Sequence, residues 1–160
     1  MKSSTIKYGY YHDQRQEYSA SGSRVKLIQL QGSHVTSPLH TAQLDDSRYV
    51  VCHYGPEQGV SLINQRGGLI ATYRNSGTTQ LVNYPRCIVV VNESILVADR
   101  DNNRILLLNS SLSNARVLSL PVNCLLKQPC CIYFDQPRGR LYVGEHGDEK
   151  RVLVFGNVSF

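Results

Sequence analysis

Short apolar runs separated by polar turns recur along most of this 160-residue chain. They are clearest in the middle, at residues 87–91, 95–98 and 104–108, with polar turns between them. Each run is short and rich in Val, Ile and Leu, which is typical of β-strands. Because apolar residues fill nearly every position of a run, both faces of the predicted sheet are expected to be covered. The pattern therefore predicts an all-β chain whose sheets stack face to face.

The same arrangement occurs three times, with a step of about 45 residues. The anchors of the three units are an opening proline, a valine of the second strand and the first apolar residue of the third strand: Pro38, Pro85 and Pro129; Val50, Val97 and Val143; Val60, Ile105 and Val152. A step of this length, filled only with strand-like segments, is typical of β-propeller blades, each a four-stranded antiparallel sheet. A leucine-rich repeat is shorter, and a helical repeat would show a period of about 3.6 residues.

If the strands of a blade are lettered A to D, the chain reads D, ABCD, ABCD, ABC. Residues 1–22 are predicted to be a polar N-terminal tail, and residues 23–36 an orphan D strand with a connector. Residues 37–83 and 84–127 are predicted as blades 1 and 2, and residues 128–160 as blade 3 without strand D. Because closed propellers use about four to eight blades, the chain is expected to belong to a larger ring or to self-associate.

One motif in the second unit is specific. Residues 95–105, ILVADRDNNRI, resemble the core of an NHL repeat, and residues 84–88, YPRCI, resemble its opening. The third unit is a looser match, with LYVGE at residues 141–145 followed by Arg151. In the first unit Cys52 is aligned with the acid and Gly59 with the arginine. Over residues 24–156 the chain thus resembles a partial NHL-type propeller, as found in tripartite-motif NHL proteins.

The resemblance implies roles for two acid–arginine pairs. Asp99 and Arg104 would pair across the B–C loop of the second blade, and Glu145 and Arg151 would do so in the third. Such charge-assisted hydrogen bonds serve the fold. The resemblance also implies a non-catalytic scaffold, with single-stranded RNA as a known ligand of several tripartite-motif NHL proteins.

The D–A and B–C connections lie at the same end of antiparallel sheets, and we call this end the loop face. Loops on a rigid scaffold commonly carry function. The candidate binding residues there are Tyr54, Arg74, Tyr84, Arg86, Arg100, Lys127, His146 and Lys150, with His53 beside them. Protein or peptide binding is the first hypothesis. Single-stranded RNA, with cations for phosphates and rings for bases, is the alternative, and it is disfavoured because acidic residues dilute the charge of the same face: Asp99, Asp101, Glu145, Asp148 and Glu149.

Composition adds three expectations. The net charge of +5 favours an anionic partner only weakly, because the basic residues are scattered. The five cysteines include no CxxC pair and suggest reduced thiols in a cytoplasmic protein. No signal-peptide-like or membrane-spanning apolar run is visible, so no membrane association is expected.

An enzyme is the remote alternative, because an NHL-like relative is an amidating lyase that holds a metal with histidines from separate blades. Four of the five histidines, those at positions 34, 40, 53 and 146, do not recur at one blade position. No nucleophile triad or nucleotide-binding motif is present either. We therefore predict no catalytic residue, metal or cofactor. Gly67 and Gly68 are predicted in a hairpin turn, and Cys130 and Cys131 are predicted to be buried.

Overall fold

The computed structural model describes residues 14–18, 24–74, 81–121, 124–158 and 160. Over these residues the regular structure is β-strand, apart from two single 3-10 turns at Arg100–Asn102 and Gln136–Arg138. The strands, in chain order, are β1 (Gln14–Tyr18), β2 (Arg24–Gln29), β3 (Pro38–Gln43), β4 (Arg48–His53), β5 (Gly59–Asn64), β6 (Leu69–Tyr73), β7 (Pro85–Val91), β8 (Ser94–Asp99), β9 (Arg104–Asn109), β10 (Ala115–Val117), β11 (Pro129–Asp135), β12 (Arg140–Glu145) and β13 (Val152–Phe155).

Strands β3 to β13 form three antiparallel blades, so the predicted all-β propeller architecture is confirmed. Blade 1 contains β3 to β6 and blade 2 contains β7 to β10, each in sequential order, whereas blade 3 contains β11 to β13. Gly67 and Gly68 lie in the turn between β5 and β6, as predicted. Gly67 has a positive φ of 81°, and an added Cβ would stand 1.8 Å from the Gln29 carbonyl oxygen. Only glycine can occupy this turn against the end of β2.

The register of strands A and B shows which residues are equivalent. Pro38, Pro85 and Pro129 lie opposite His53, Asp99 and Glu145 respectively. In each blade the register then shifts by one residue, because the residue after the proline bulges out of the ladder. Val51, not Val50, therefore occupies the position in blade 1 that is equivalent to Val97 in blade 2 and Val143 in blade 3. The sequence alignment of the first unit was wrong by one residue there, because a short apolar strand gives no internal signal for its register.

Each blade packs its apolar face on the next. One buried cluster joins β4 and β5 of blade 1 to blade 2 through residues such as Val50, Leu62 and Ile95. A second cluster joins blade 2 to blade 3 through residues such as Leu96 and Val143. Alternate residues of the central strands point into the two clusters, which explains their near-continuous apolar sequence.

The N-terminal segment differs from the prediction. Gln14–Tyr18, placed in the polar tail, forms β1 and pairs with β2, so β2 is not an orphan strand. Residues 1–13 and 19–23 lie outside the described part of the chain. Ile28, Leu30 and Val35 pack on Tyr49 and other buried residues of blade 1. They cover the face that a second copy's blade 3 would need for head-to-tail ring closure.

Blade 3 leaves its other face uncovered by the described residues. Tyr133, Val152 and Val154 are 62%, 69% and 54% exposed. Their equivalents in blades 1 and 2 face the next blade in the stack.

None of the helical turns in the described ranges has the length or hydrophobicity of a membrane-spanning helix.

Candidate functional site

The acid–arginine pairs fasten the B–C loops to the D–A connections. The Asp99 side chain is fully buried and accepts hydrogen bonds from Arg104 Nε at 2.6 Å and from the Asn83 main-chain N–H at 2.8 Å. In blade 3, Glu145 accepts from Arg151 Nε at 2.9 Å and from the Lys127 N–H at 2.6 Å. Glu145 also raises the pKa of the Arg151 guanidinium. Each acid therefore links two connections of the loop face, and its role there is structural.

In blade 1 a histidine takes the place of the acid. The register places His53, not Cys52, opposite the opening proline, and Gly59 opposite His53. His53 is fully buried, and its Nε2 lies 2.9 Å from Ser61 Oγ, which is 3.0 Å from Thr72 Oγ1. Burial lowers the pKa of His53 to about 4, so the ring is neutral near pH 7. A neutral chain of hydrogen-bonded polar side chains replaces the ion pair. His53 was predicted on the exposed loop face, and this prediction is wrong because the side chain is buried.

The first residue of each blade has an unusual backbone conformation. Ser37, Tyr84 and Gln128 occupy this position with φ of 46°, 55° and 48°. The N–H of Tyr84 donates to Gln58 Oε1 at 3.0 Å, and that of Gln128 donates to Asn103 Oδ1 at 2.7 Å. Each acceptor belongs to the B–C loop of the preceding blade. These bonds between blades hold the first residue, and hence its side chain, at the loop face.

Four of the predicted binding residues come together around Tyr84. The Tyr54 and Tyr84 rings meet edge to face, with centroids 4.6 Å apart and an interplanar angle of 77°. The guanidinium carbons of Arg86 and Arg100 lie 5.3 Å and 5.2 Å from the Tyr84 ring centre. These distances are typical of cation–π contacts. Tyr54 comes from blade 1 and the other three from blade 2. We call these four residues the tyrosine–arginine cluster.

The remaining cations of the loop face are largely neutralised by neighbouring carboxylates. Lys127 Nζ lies 3.4 Å from Glu149, and Arg74 pairs with Glu57. Within the cluster, Arg100 pairs with Asp101 at 2.7 Å and donates to Gln128 Oε1 at 3.0 Å. Four of the acidic residues that the sequence placed on this face thus form ion pairs with arginine or lysine: Asp99, Asp101, Glu145 and Glu149.

Blade 3 holds the other predicted residues of the loop face. His146 and Lys150 are exposed in its B–C loop, and the His146 N–H donates to the Gln128 carbonyl at 3.0 Å. Lys150 has a φ of 43° and occupies the place that Gln58 and Asn103 hold in blades 1 and 2. Four of the predicted site residues therefore meet around Tyr84, His146 and Lys150 share the B–C loop of blade 3, and Arg74 and Lys127 are held in ion pairs.

The structure shows the surroundings of the histidines and cysteines that the sequence analysis considered. His40 accepts the Ile88 N–H through Nδ1 at 3.3 Å, and His34 is exposed. Within the described ranges, no three His, Cys, Asp or Glu side chains are grouped to hold a metal ion. Cys130 is half-buried and Cys131 exposed, so the prediction that both are buried is wrong. The face of blade 3 that carries Cys131 has no following blade among the described residues.

Comparisons with known proteins identify the fold but no family. No family model and no curated protein matches the chain. The chain is similar to a solved protein of unknown function from Bacteroides caccae, with a TM-score of 0.70, 15% identity, and coverage of 89% of this chain and 55% of that one. It is also similar to the WD40 β-propeller domain of Doa1, with a TM-score of 0.62, 16% identity, and coverage of 98% and 50%. The chain thus spans about half the length of these two structures.

Proposed function

We propose that this chain is a non-catalytic interaction module of the NHL type, which binds an extended peptide at the tyrosine–arginine cluster. The single observation that carries the proposal is the Tyr54–Tyr84 ring pair, flanked by Arg86 and Arg100 between blades 1 and 2. The acid–arginine pairs of blades 2 and 3 support the NHL assignment.

The cluster has the chemistry of a peptide-binding surface. Tyrosine and arginine are the residue types that most often dominate binding energy at protein interfaces. Tyr54 is 45% exposed, so its ring can still bury apolar surface on a partner. The Arg86 guanidinium can donate to a carboxylate while it remains stacked on Tyr84. The expected ligand is an extended peptide with an acidic residue next to a proline or an aromatic residue.

Single-stranded RNA fits this surface less well. Its binding depends on uncompensated cations that follow a phosphate backbone. On the loop face, Arg74, Arg100 and Lys127 already pair with carboxylates. An RNA ligand would have to displace or approach those carboxylates, which favours the peptide.

The proposal is tested by selecting peptides from a random display library on the full chain and measuring their affinity by fluorescence anisotropy. We expect Tyr54→Ala and Arg86→Ala each to weaken the selected peptides about tenfold or more, as loss of an interface hot spot does. Tyr133→Ala and Arg116→Ala, which remove the same residue types elsewhere on the surface, should leave the affinity unchanged.

Equal affinity of all four variants for the selected peptides would refute the proposed site. A mixed-sequence single-stranded RNA is measured in parallel over a range of salt concentrations. Tight RNA binding that weakens steeply with salt and is lost in Arg86→Ala would replace the peptide by RNA.

A further inference from the structure

The open face of blade 3, the side that carries Tyr133, Val152 and Val154, differs from the faces that receive a neighbouring blade. Strand pairing makes Tyr133 equivalent to Val89 of blade 2, and Tyr142 equivalent to Leu96. Both residues of blade 2 belong to the apolar cluster against blade 3. The two tyrosine rings of blade 3 lie side by side, with centroids 5.9 Å apart. Tyrosines in place of aliphatic side chains are typical of a surface between proteins.

A second difference lies in the bond that receives the next blade. Gln58 and Asn103 each end a turn in the B–C loop and accept the N–H of the first residue of the following blade. Lys150 ends the same turn in blade 3. An ammonium group donates hydrogen bonds but accepts none. The open face is therefore suited to a partner other than a blade of the same type.

The open face has a ridge next to a hollow. In β12, Val143 is buried against blade 2, so Tyr142 and Gly144 on either side of it point to the open side. An added Cβ on Gly144 would have the Cys131 Cβ as its nearest neighbour, at the ordinary contact distance of 3.4 Å. The tyrosine rings thus form a ridge, and the missing side chain of Gly144 leaves a hollow beside it.

Opposite charges lie at the two ends of the open face. Arg140 begins β12, Asp148 lies in the B–C loop that follows it, and both side chains are exposed. Within the described ranges neither forms an ion pair, whereas their neighbours Asp135 and Glu149 do. Arg140 and the start of the B–C loop are each about 10 Å from the level of Val143, on opposite sides of it. The charges are therefore placed symmetrically about the middle of the face.

We propose that two copies of this chain form a dimer through the open faces of blade 3, packed face to face about a two-fold axis. The axis lies in the interface and crosses the strands at the level of Val143, so strand direction is reversed in the second copy. Tyr142 of one copy then packs into the hollow at Gly144 of the other. Arg140 of one copy reaches Asp148 of the other, and symmetry makes each contact twice.

This arrangement is consistent with the other surfaces of the chain. Because β1 and β2 cover the outer face of blade 1, a head-to-tail ring is not open to it, whereas a two-fold contact closes with two copies. The tyrosine–arginine cluster stays exposed because it lies between blades 1 and 2. Reversed strand direction turns the two loop faces to opposite ends, so the dimer presents two separate clusters.

Sedimentation equilibrium of the full chain tests the dimer. We expect the mass to approach twice that of the chain at micromolar concentrations. Tyr142→Ala should weaken the dimer about tenfold or more, as loss of an interface hot spot does. Gly144→Val fills the hollow and should weaken it as well, although the variant adds apolar surface. A chain that stays monomeric up to about 100 µM, or a Gly144→Val variant that associates at least as strongly as the wild type, would overturn the proposal.

Exchange of charges tests the position of the axis. Arg140→Glu and Asp148→Arg each place like charges opposite one another at both symmetric contacts, so each homodimer should weaken about tenfold. In an equal mixture only the heterodimer restores both pairs, and native mass spectrometry separates it by mass. The heterodimer should exceed its random proportion, whereas Arg116→Glu, an exposed arginine of blade 2, should mix randomly with the wild type. A random mixture of the two charge variants would show that the proposed axis is wrong.

Discussion

The buried histidine of blade 1 should make the protein lose stability in mild acid. His53 is fully buried and its pKa is lowered to about 4, mainly by burial, with a further contribution from Arg74 that Glu57 opposes. In the unfolded chain a histidine has a pKa of about 6.5. Between these two values the unfolded state binds the proton and the folded state does not, so stability falls as the pH is lowered.

The size of the effect follows from the two pKa values. Lowering the pH from 7 to 5 should reduce the free energy of unfolding by about 2 kcal/mol. This loss of stability approaches about 3 kcal/mol below pH 4. A carboxyl group whose pKa is lowered does not give a loss in this window, because its stabilising contribution is lost only below the ordinary pKa of the acid. The pKa of Asp45, for example, is lowered from 3.8 to about 2, so its contribution disappears only below about pH 4.

The assay is urea unfolding at pH 7 and pH 5, compared for the wild type, His53→Gln and His146→Gln. Glutamine can keep a hydrogen bond to Ser61 but does not titrate. His53→Gln should lose the drop of about 2 kcal/mol between the two pH values. His146→Gln, which removes an exposed histidine of the loop face, should retain it. If His53→Gln shows the full wild-type drop, the buried neutral histidine does not account for acid sensitivity.

Two further predictions concern the Asp99–Arg104 pair of blade 2 and the exposed apolar face of blade 3. Asp99→Ala leaves Arg104 and the Asn83 N–H without their buried acceptor and should lower the free energy of unfolding by about 3 kcal/mol. Asp101→Ala breaks only an exposed pair and should change it by less than about 1 kcal/mol in the same urea titration. Self-association through the exposed face of blade 3 would appear in sedimentation equilibrium as a concentration-dependent mass. A double variant, Val152→Lys with Val154→Lys, should then be monomeric, whereas an unchanged mass would assign the contact to another surface.

The sequence alone determined the architecture of this protein. Strand formation depends on local composition, and the repeated step from an opening proline to apolar runs marked each blade without any tertiary information. The pairing of Asp99 with Arg104 was also predicted, from the resemblance of residues 95–105 to an NHL repeat. The Tyr84 neighbourhood was partly predictable, since topology places the first residue of each blade and the B–C loops at one end of the sheets.

Tertiary structure decided everything that depends on register or on contacts between blades. The bulge after each opening proline shifts one strand by a residue, and only the ladder shows that His53 replaces the acid of blade 1. The role of β1 and β2 could not be predicted, because whether an apolar strand covers a blade or completes it depends on which surface it packs against. The contact of Cys87 Sγ with the Ile132 main chain follows from the close approach of neighbouring inner strands, a distance in space that the spacing of residues along a chain does not encode.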